Sequence, residues 1–131
     1  MKEINALYFP EDLKYSDDHE WAREKGGVIR IGISDYAQDQ LGDIVYVELP
    51  QIGDVFECHA AFGTLESVKA VSEIYMPVAG TVSAVNEDLG DNPDRVNSEP
   101  YDGGWMIEVE ADAAALDALK NREEYIAMLK G

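Results

Sequence analysis

From Trp21 onward the apolar positions recur mostly with a period of two, the spacing of strands that bury one face. Within residues 28–33, Ile29, Ile31 and Ile33 share a face, and Gly26-Gly27 just before them suits a hairpin turn. The next stretch, residues 34–42, predicts one or two helical turns, with Ser34 or Asp35 as the N-cap and Gly42 as the stop. Strand character resumes at 44–49, 61–67, 74–85 and 105–110. In the long segment Ile74, Met76, Val78, Val82 and Ala84 share a parity, as do Trp105, Ile107 and Val109 in the last one. Residues 1–16 read as an irregular, proline-interrupted lead-in. Residues 112–130 are rich in helix formers, with Asn121 and Glu124 at capping-box spacing, and predict one bent helix or two short ones. Leu116, Leu119, Ile126 and Leu129 would face the sheet.

Pro50-Gln-Ile-Gly53-Asp-Val55 and Pro77-Val-Ala-Gly80-Thr-Val82 both spell P-x-x-G-x-V. In each, Pro ends a ladder, Gly permits positive φ and Val restarts pairing, so two strand-turn-strand units packed face to face as a small sandwich are expected. The 131 residues allow one core, and a single domain over 1–131 is the expected organisation. The net charge of −17 repels phosphate backbones and anionic headgroups, which argues against nucleic-acid and membrane partners. No window has the apolar length of a spanning helix or a signal peptide, and the one cysteine, Cys58, agrees with a reducing compartment.

Between the repeat units lies Glu66-Ser67-Val68-Lys69-Ala70, with Glu73 beyond it. A lysine where two strands meet projects its ammonium from a hairpin tip, open to an acylating enzyme. Position alone does not identify a site, since a turn lysine is ordinarily just solvated. The pentapeptide resembles the lipoylation site of the glycine cleavage H-protein family. The resemblance extends to His19-Glu20-Trp21, to residues 32–50 and to residues 96–105, and covers roughly 14–130 in uninterrupted order. Biotin carrier domains differ in having Met on both sides of the lysine. The lipoyl domains of 2-oxo acid dehydrogenases usually carry Asp-Lys-Ala and are shorter.

The resemblance implies a mainly β, barrel-sandwich hybrid fold with a short internal helix and C-terminal helices. It also implies lipoic acid joined by an amide to Lys69, within the motif Glu66, Ser67, Val68 and Ala70. Such a protein catalyses nothing alone. It carries the aminomethyl group of glycine from a pyridoxal-phosphate glycine decarboxylase (P protein) to a tetrahydrofolate-dependent aminomethyltransferase (T protein). A dihydrolipoyl dehydrogenase (L protein) reoxidises the dithiol, and a lipoate ligase or lipoyl transferase installs it. A loaded arm with a cationic amine calls for a sheltered acidic resting place. By resemblance, Glu20 and Glu73 line it, although the family often has Asp at the latter position, and Ile33, Ala37 and Leu41 are candidates for its apolar wall. A bacterial cytoplasm is the expected compartment, with an organelle matrix as the other.

Other chemistry has little support. His19 reads as a buried or capping residue, and Cys58 and His59 would point to opposite faces of a strand, so no metal site is expected. The acidic, turn-rich residues 86–94 lack the Gly and Glu placement of a calcium loop and read as solvated. Two other readings remain: an H-like lipoyl carrier serving lipoate relay or another pathway, and an unmodified acidic binding module.

Overall fold

The computed structural model describes residues 2–131. Its strands are β1 (Lys14–Tyr15), β2 (Glu20–Lys25), β3 (Val28–Ile33), β4 (Ile44–Glu48), β5 (Val55–Phe56), β6 (Ala61–Ser67), β7 (Val71–Tyr75), β8 (Gly80–Val85) and β9 (Ile107–Glu110). Four α-helical segments are α1 (Asp35–Leu41), α2 (Asp88–Asp91), α3 (Arg95–Ser98) and α4 (Arg122–Lys130). The strands form a six-stranded sheet ordered β1-β2-β3-β9-β8-β5 and a three-stranded sheet ordered β4-β6-β7, every pairing antiparallel.

The period-two segments fold for the reason their pattern gives. Ile29 and Ile31 on β3 pair with Val109 and Ile107 on β9, and all four are buried. Each such side chain contributes about 1.5–3 kcal/mol by leaving water. Gly26 and Gly27 close β2 onto β3 with φ of 56° and 90°, the left-handed pair that a tight two-residue hairpin requires. Ser34 caps α1 by accepting the Ala37 amide at 3.2 Å, and Gly42 ends it.

Several expectations change. The strand expected over 74–85 is two strands in different sheets, because Pro77 cannot donate to a ladder and the chain crosses from one sheet to the other around buried Met76. The two P-x-x-G-x-V units are hydrogen-bonded side by side rather than packed face to face. Gly53 donates to the Val82 carbonyl at 2.8 Å, and Val82 donates back to that of Asp54 at 2.9 Å. Their glycines also differ. Gly53 has a φ of 97°, whereas Gly80 is present because a Cβ there would sit 2.8 Å from the Glu110 carbonyl oxygen. The lead-in includes a 3-10 turn at Ile4–Ala6 and the short β1. Within 86–94, Leu89 is fully buried on α2 and the Asn86 side chain donates to the Gly103 and Trp105 carbonyls, so that loop is anchored rather than merely solvated.

The core has two parts. The larger lies between the sheets. The smaller is aromatic, built around Phe9, Tyr15, Trp21, Tyr101 and Tyr125, with Tyr15 and Tyr125 stacked at 4.7 Å. The C-terminal segment is a 3-10 turn followed by α4, joined by a capping box between Asn121 and Glu124. Leu116 and Leu119 pack on the larger core, but Ile126 and Leu129 pack on the aromatic one. No helix among the described residues is long and apolar enough to cross a membrane.

Candidate functional site

Lys69 sits at the tip of the β6–β7 hairpin, exposed, and none of the ion pairs among the described residues uses its ammonium. Ser67 builds the tip. Its backbone N–H donates to the Ala70 carbonyl at 2.8 Å, and its Oγ accepts from the Lys69 and Ala70 amides at 3.2 and 3.1 Å. A buried hydroxyl thus closes the turn from inside. Glu66, Val68 and Ala70 are exposed around the lysine, and Glu66 lies in a cross-strand row between Tyr46 and Val71. A second tether comes from outside the hairpin: the Val68 amide donates to the Asp43 carbonyl at 3.0 Å.

Beside the hairpin runs a cleft of about 280 Å³ between α1 and β7. Glu20, Ile33, Ala37, Leu41 and Glu73 all line it. Sequence reasoning did not place Asp18, His19, Tyr36, Gln40, Leu65, Ser72 and Ile74 there. The signal for Tyr36 and Gln40 was available, because with Ala37 and Leu41 they occupy one face of a helix at i, i+1, i+4 and i+5. Leu65 pairs with Ser72 across β6 and β7, which puts both on the cleft side. Glu73 and Ile74 lie three and four residues beyond Ala70 of the hairpin tip, on the order of 10 Å along β7.

The two carboxyls differ in kind. Glu73 is exposed at the rim, whereas Glu20 is 2% exposed, with Oε1 accepting from Ser16 Oγ at 2.7 Å and Oε2 facing the Tyr75 amide at 3.4 Å. Burial pushes Glu20 from its ordinary 4.5 up to about 8, against the pull of the Ser16 and Tyr75 hydrogen bonds. At neutral pH the floor of the cleft therefore holds a mostly protonated carboxyl. Alternation along β2 sends Trp21 the other way into the aromatic core, where its Nε1 donates to the Pro100 carbonyl at 2.8 Å.

His19 occupies the turn into β2 with φ of 74°, an uncommon conformation for a residue with a Cβ. Its Nδ1 is 2.8 Å from Tyr125 Oη, which is also 2.8 Å from Ser34 Oγ, so α4 braces the cleft wall. Burial pulls His19 below its usual value, against the charges of Asp18 and Asp17, and so favours the neutral ring. Tyr125 was legible only as a helix residue. Cys58 and His59 lie in the turn between β5 and β6, not on a strand, with His59 at φ of 71°. Among the described residues no group of three or more His, Cys, Asp or Glu is placed to hold a metal ion.

Two antiparallel sheets with a lysine held out on a hairpin tip are the arrangement of a lipoyl-carrier-like, barrel-sandwich protein. A family model described as "Glycine cleavage H-protein" matches residues 13–131. The chain is 53% identical over 121 residues to a glycine cleavage system H protein of Halalkalibacterium halodurans, covering 92% of this chain and 94% of that one. It is 52% identical over 120 residues to a probable glycine cleavage system H protein of Natronomonas pharaonis, covering 92% and 95%. The crystal structure of a glycine cleavage system H protein from Mycobacterium marinum superposes with a TM-score of 0.86 at 32% identity, covering 94% of this chain and all of that one. The chain belongs to the glycine cleavage H-protein family.

Proposed function

We propose that the protein is a non-enzymatic carrier of glycine cleavage, with lipoic acid attached through an amide to Lys69. When bound, the lipoyl group supplies a cyclic disulfide whose sulfur accepts the aminomethyl group and whose dithiol is reoxidised at the end of the cycle. The observation that carries this reading is the exposed Lys69 ammonium, in no ion pair among the described residues, on a turn closed by buried Ser67, beside a cleft with apolar walls and a carboxyl floor. These residues fit the group. Ile33, Ala37, Leu41, Leu65 and Ile74 offer surface to an aliphatic chain, and the carboxyls of Glu20 and Glu73 suit a cationic amine at its end.

Within this reading, Ser67 orients the lysine, the apolar walls exclude water, and Glu73 supplies negative charge at the rim. Glu20 acts differently: its carboxyl holds a proton until a cation approaches and then releases it to water at the cleft mouth, since a nearby positive charge lowers a raised carboxyl. The partners are the P, T and L proteins and a lipoate ligase or lipoyl transferase, and the compartment is the cytoplasm or an organelle matrix. A tether raises the concentration of the carried group at each docked active site without tight binding.

The experiment is reconstitution of glycine-dependent CO₂ exchange with a pyridoxal-phosphate glycine decarboxylase. The lipoylated protein is expected to support exchange, and the Lys69→Arg protein is expected to support none. Lipoylation without exchange would move the protein to another lipoyl-dependent pathway. No modification in cells replete in lipoate would leave an acidic binding module.

A further inference from the structure

We infer that Asn97 is a positioning residue for Lys69, although it touches neither the lysine nor the cleft residues assigned above. This rests on the proposed modification of Lys69. The chain of contacts begins at Asn97, on the four-residue helix α3, half-buried next to Val96, which is fully buried in the larger core. Its amide clamps two backbone groups that flank a single residue. Asn97 Nδ2 donates to the Gly42 carbonyl at 2.9 Å, and Oδ1 accepts from the Ile44 amide at 2.8 Å. Between them stands Asp43, whose carbonyl accepts the Val68 amide at 3.0 Å, one residue before Lys69.

Gly42 bears on the lysine directly as well. A Cβ there would lie 3.6 Å from Lys69 Cε, and its φ of 79° suits glycine. The remaining Nδ2 donation, 3.0 Å to Gln38 Oε1, ties the clamp to α1, the helix that forms one wall of the cleft. Gln38 in turn donates to Asp35 Oδ1 at 2.7 Å. One side chain therefore joins three elements: α1 beside the cleft, the start of β4, and through Asp43 the tip that bears the lysine. Ser67 closes that turn from within but does not fix it to α1. Of the side chains that reach the Gly42–Ile44 link, Asn97 holds both ends.

The consequence is a distinction between the shape of the turn and its placement. Without Asn97 the turn keeps its Ser67 bonds but is presented to a modifying enzyme only part of the time. An enzyme that binds only the competent arrangement then shows a raised KM at unchanged kcat.

The test uses the full chain with a lipoate ligase, ATP and lipoate, together with amide hydrogen exchange on the unmodified protein. In Asn97→Ala, KM for lipoylation of Lys69 is expected to rise about tenfold with kcat unchanged, as when one molecule in ten is competent. Exchange of the Val68 amide should accelerate by at least that factor, because most molecules are then open, while those of Ile29 and Ile31 on β3 keep their protection. Asn97→Asp retains the acceptor for the Ile44 amide but turns the donation to Gly42 into repulsion, and it should show the same pattern. It decides the matter if the alanine variant does not fold. Wild-type KM and Val68 exchange in either folded variant would overturn the inference, as would a uniform acceleration at Val68, Ile29 and Ile31. If the wild-type chain takes no lipoyl group at Lys69, the proposed function fails instead, and Val68 exchange still reports on the clamp.

Discussion

The hairpin tip and the cleft are neighbours built on opposite principles. At the tip the groups held in place are backbone: Ser67 Oγ and the Asp43 carbonyl accept the main-chain amides and fix the path of the chain, while Val68, Lys69 and Ala70 stand in water. In the cleft almost everything is side chain: Glu20, Ile33 and Ile74 are buried, and His19 is braced by Tyr125. The tip leaves its lysine exposed to solvent, whereas the cleft buries a carboxyl and raises its pKa to about 8. On the proposed function, the difference separates two tasks. A group to be modified and presented to several enzymes must be accessible, and a group to shelter the delivered cation must be desolvated before the cation arrives.

The sharpest way to break the comparison is at the tip. Lys69→Arg keeps a positive charge and the turn, and is expected to abolish lipoylation and glycine-dependent CO₂ exchange completely while the unfolding midpoint in urea stays within error of wild type. Next in size is the pH dependence conferred by Glu20. Its folded value of about 8 lies above the unfolded 4.5, so the protonated form stabilises the fold fully below pH 4.5, and that contribution is lost as pH rises through about 8. Relative to wild type, Glu20→Gln should gain stability between pH 4.5 and 7 by on the order of 3 kcal/mol in urea titrations. A difference independent of pH would show that the carboxyl ionises in the folded protein as it does in the unfolded chain.

Tyr125→Phe removes the hydroxyl that meets both His19 and Ser34, and is expected to destabilise the fold by about 1–2 kcal/mol. Lipoylation of Lys69 should be unaffected, because the loss falls on the cleft wall and not on the tip. The smallest effect belongs to Glu73→Gln at the exposed rim. It should leave stability within about 0.5 kcal/mol of wild type and shorten the retention of the aminomethyl group less than Glu20→Gln does. Equal effects of the two carboxyls on retention would erase the contrast between floor and rim.

The sequence revealed unequal amounts of these two regions. The tip was legible because its determinants are local: a strand ending at Ser67, a short turn and a second strand, all within a few residues. The isoleucines of β3 and the capping residues of α1 and α4 were legible for the same reason. What escaped depends on contacts distant in sequence. Tyr125 reaches Ser34 and His19 across the aromatic core, and Asn97 reaches Gly42 and Ile44, neither pair having a periodic signature. Pro77 divides one run of shared parity between two sheets, a choice that parity cannot express because both halves bury the same face. The ionisation of Glu20 was equally hidden, since the sequence gives a carboxyl's position but not its desolvation.

The central claim is that one amine, on Lys69, is the carrier's point of attachment. Intact mass and peptide mapping of the protein from cells replete in lipoate test it most directly. The predicted result is the mass of a single lipoyl group, mapped to Lys69 and absent from Lys69→Arg. Protein of unmodified mass, or a lipoyl group on any other lysine, would contradict it.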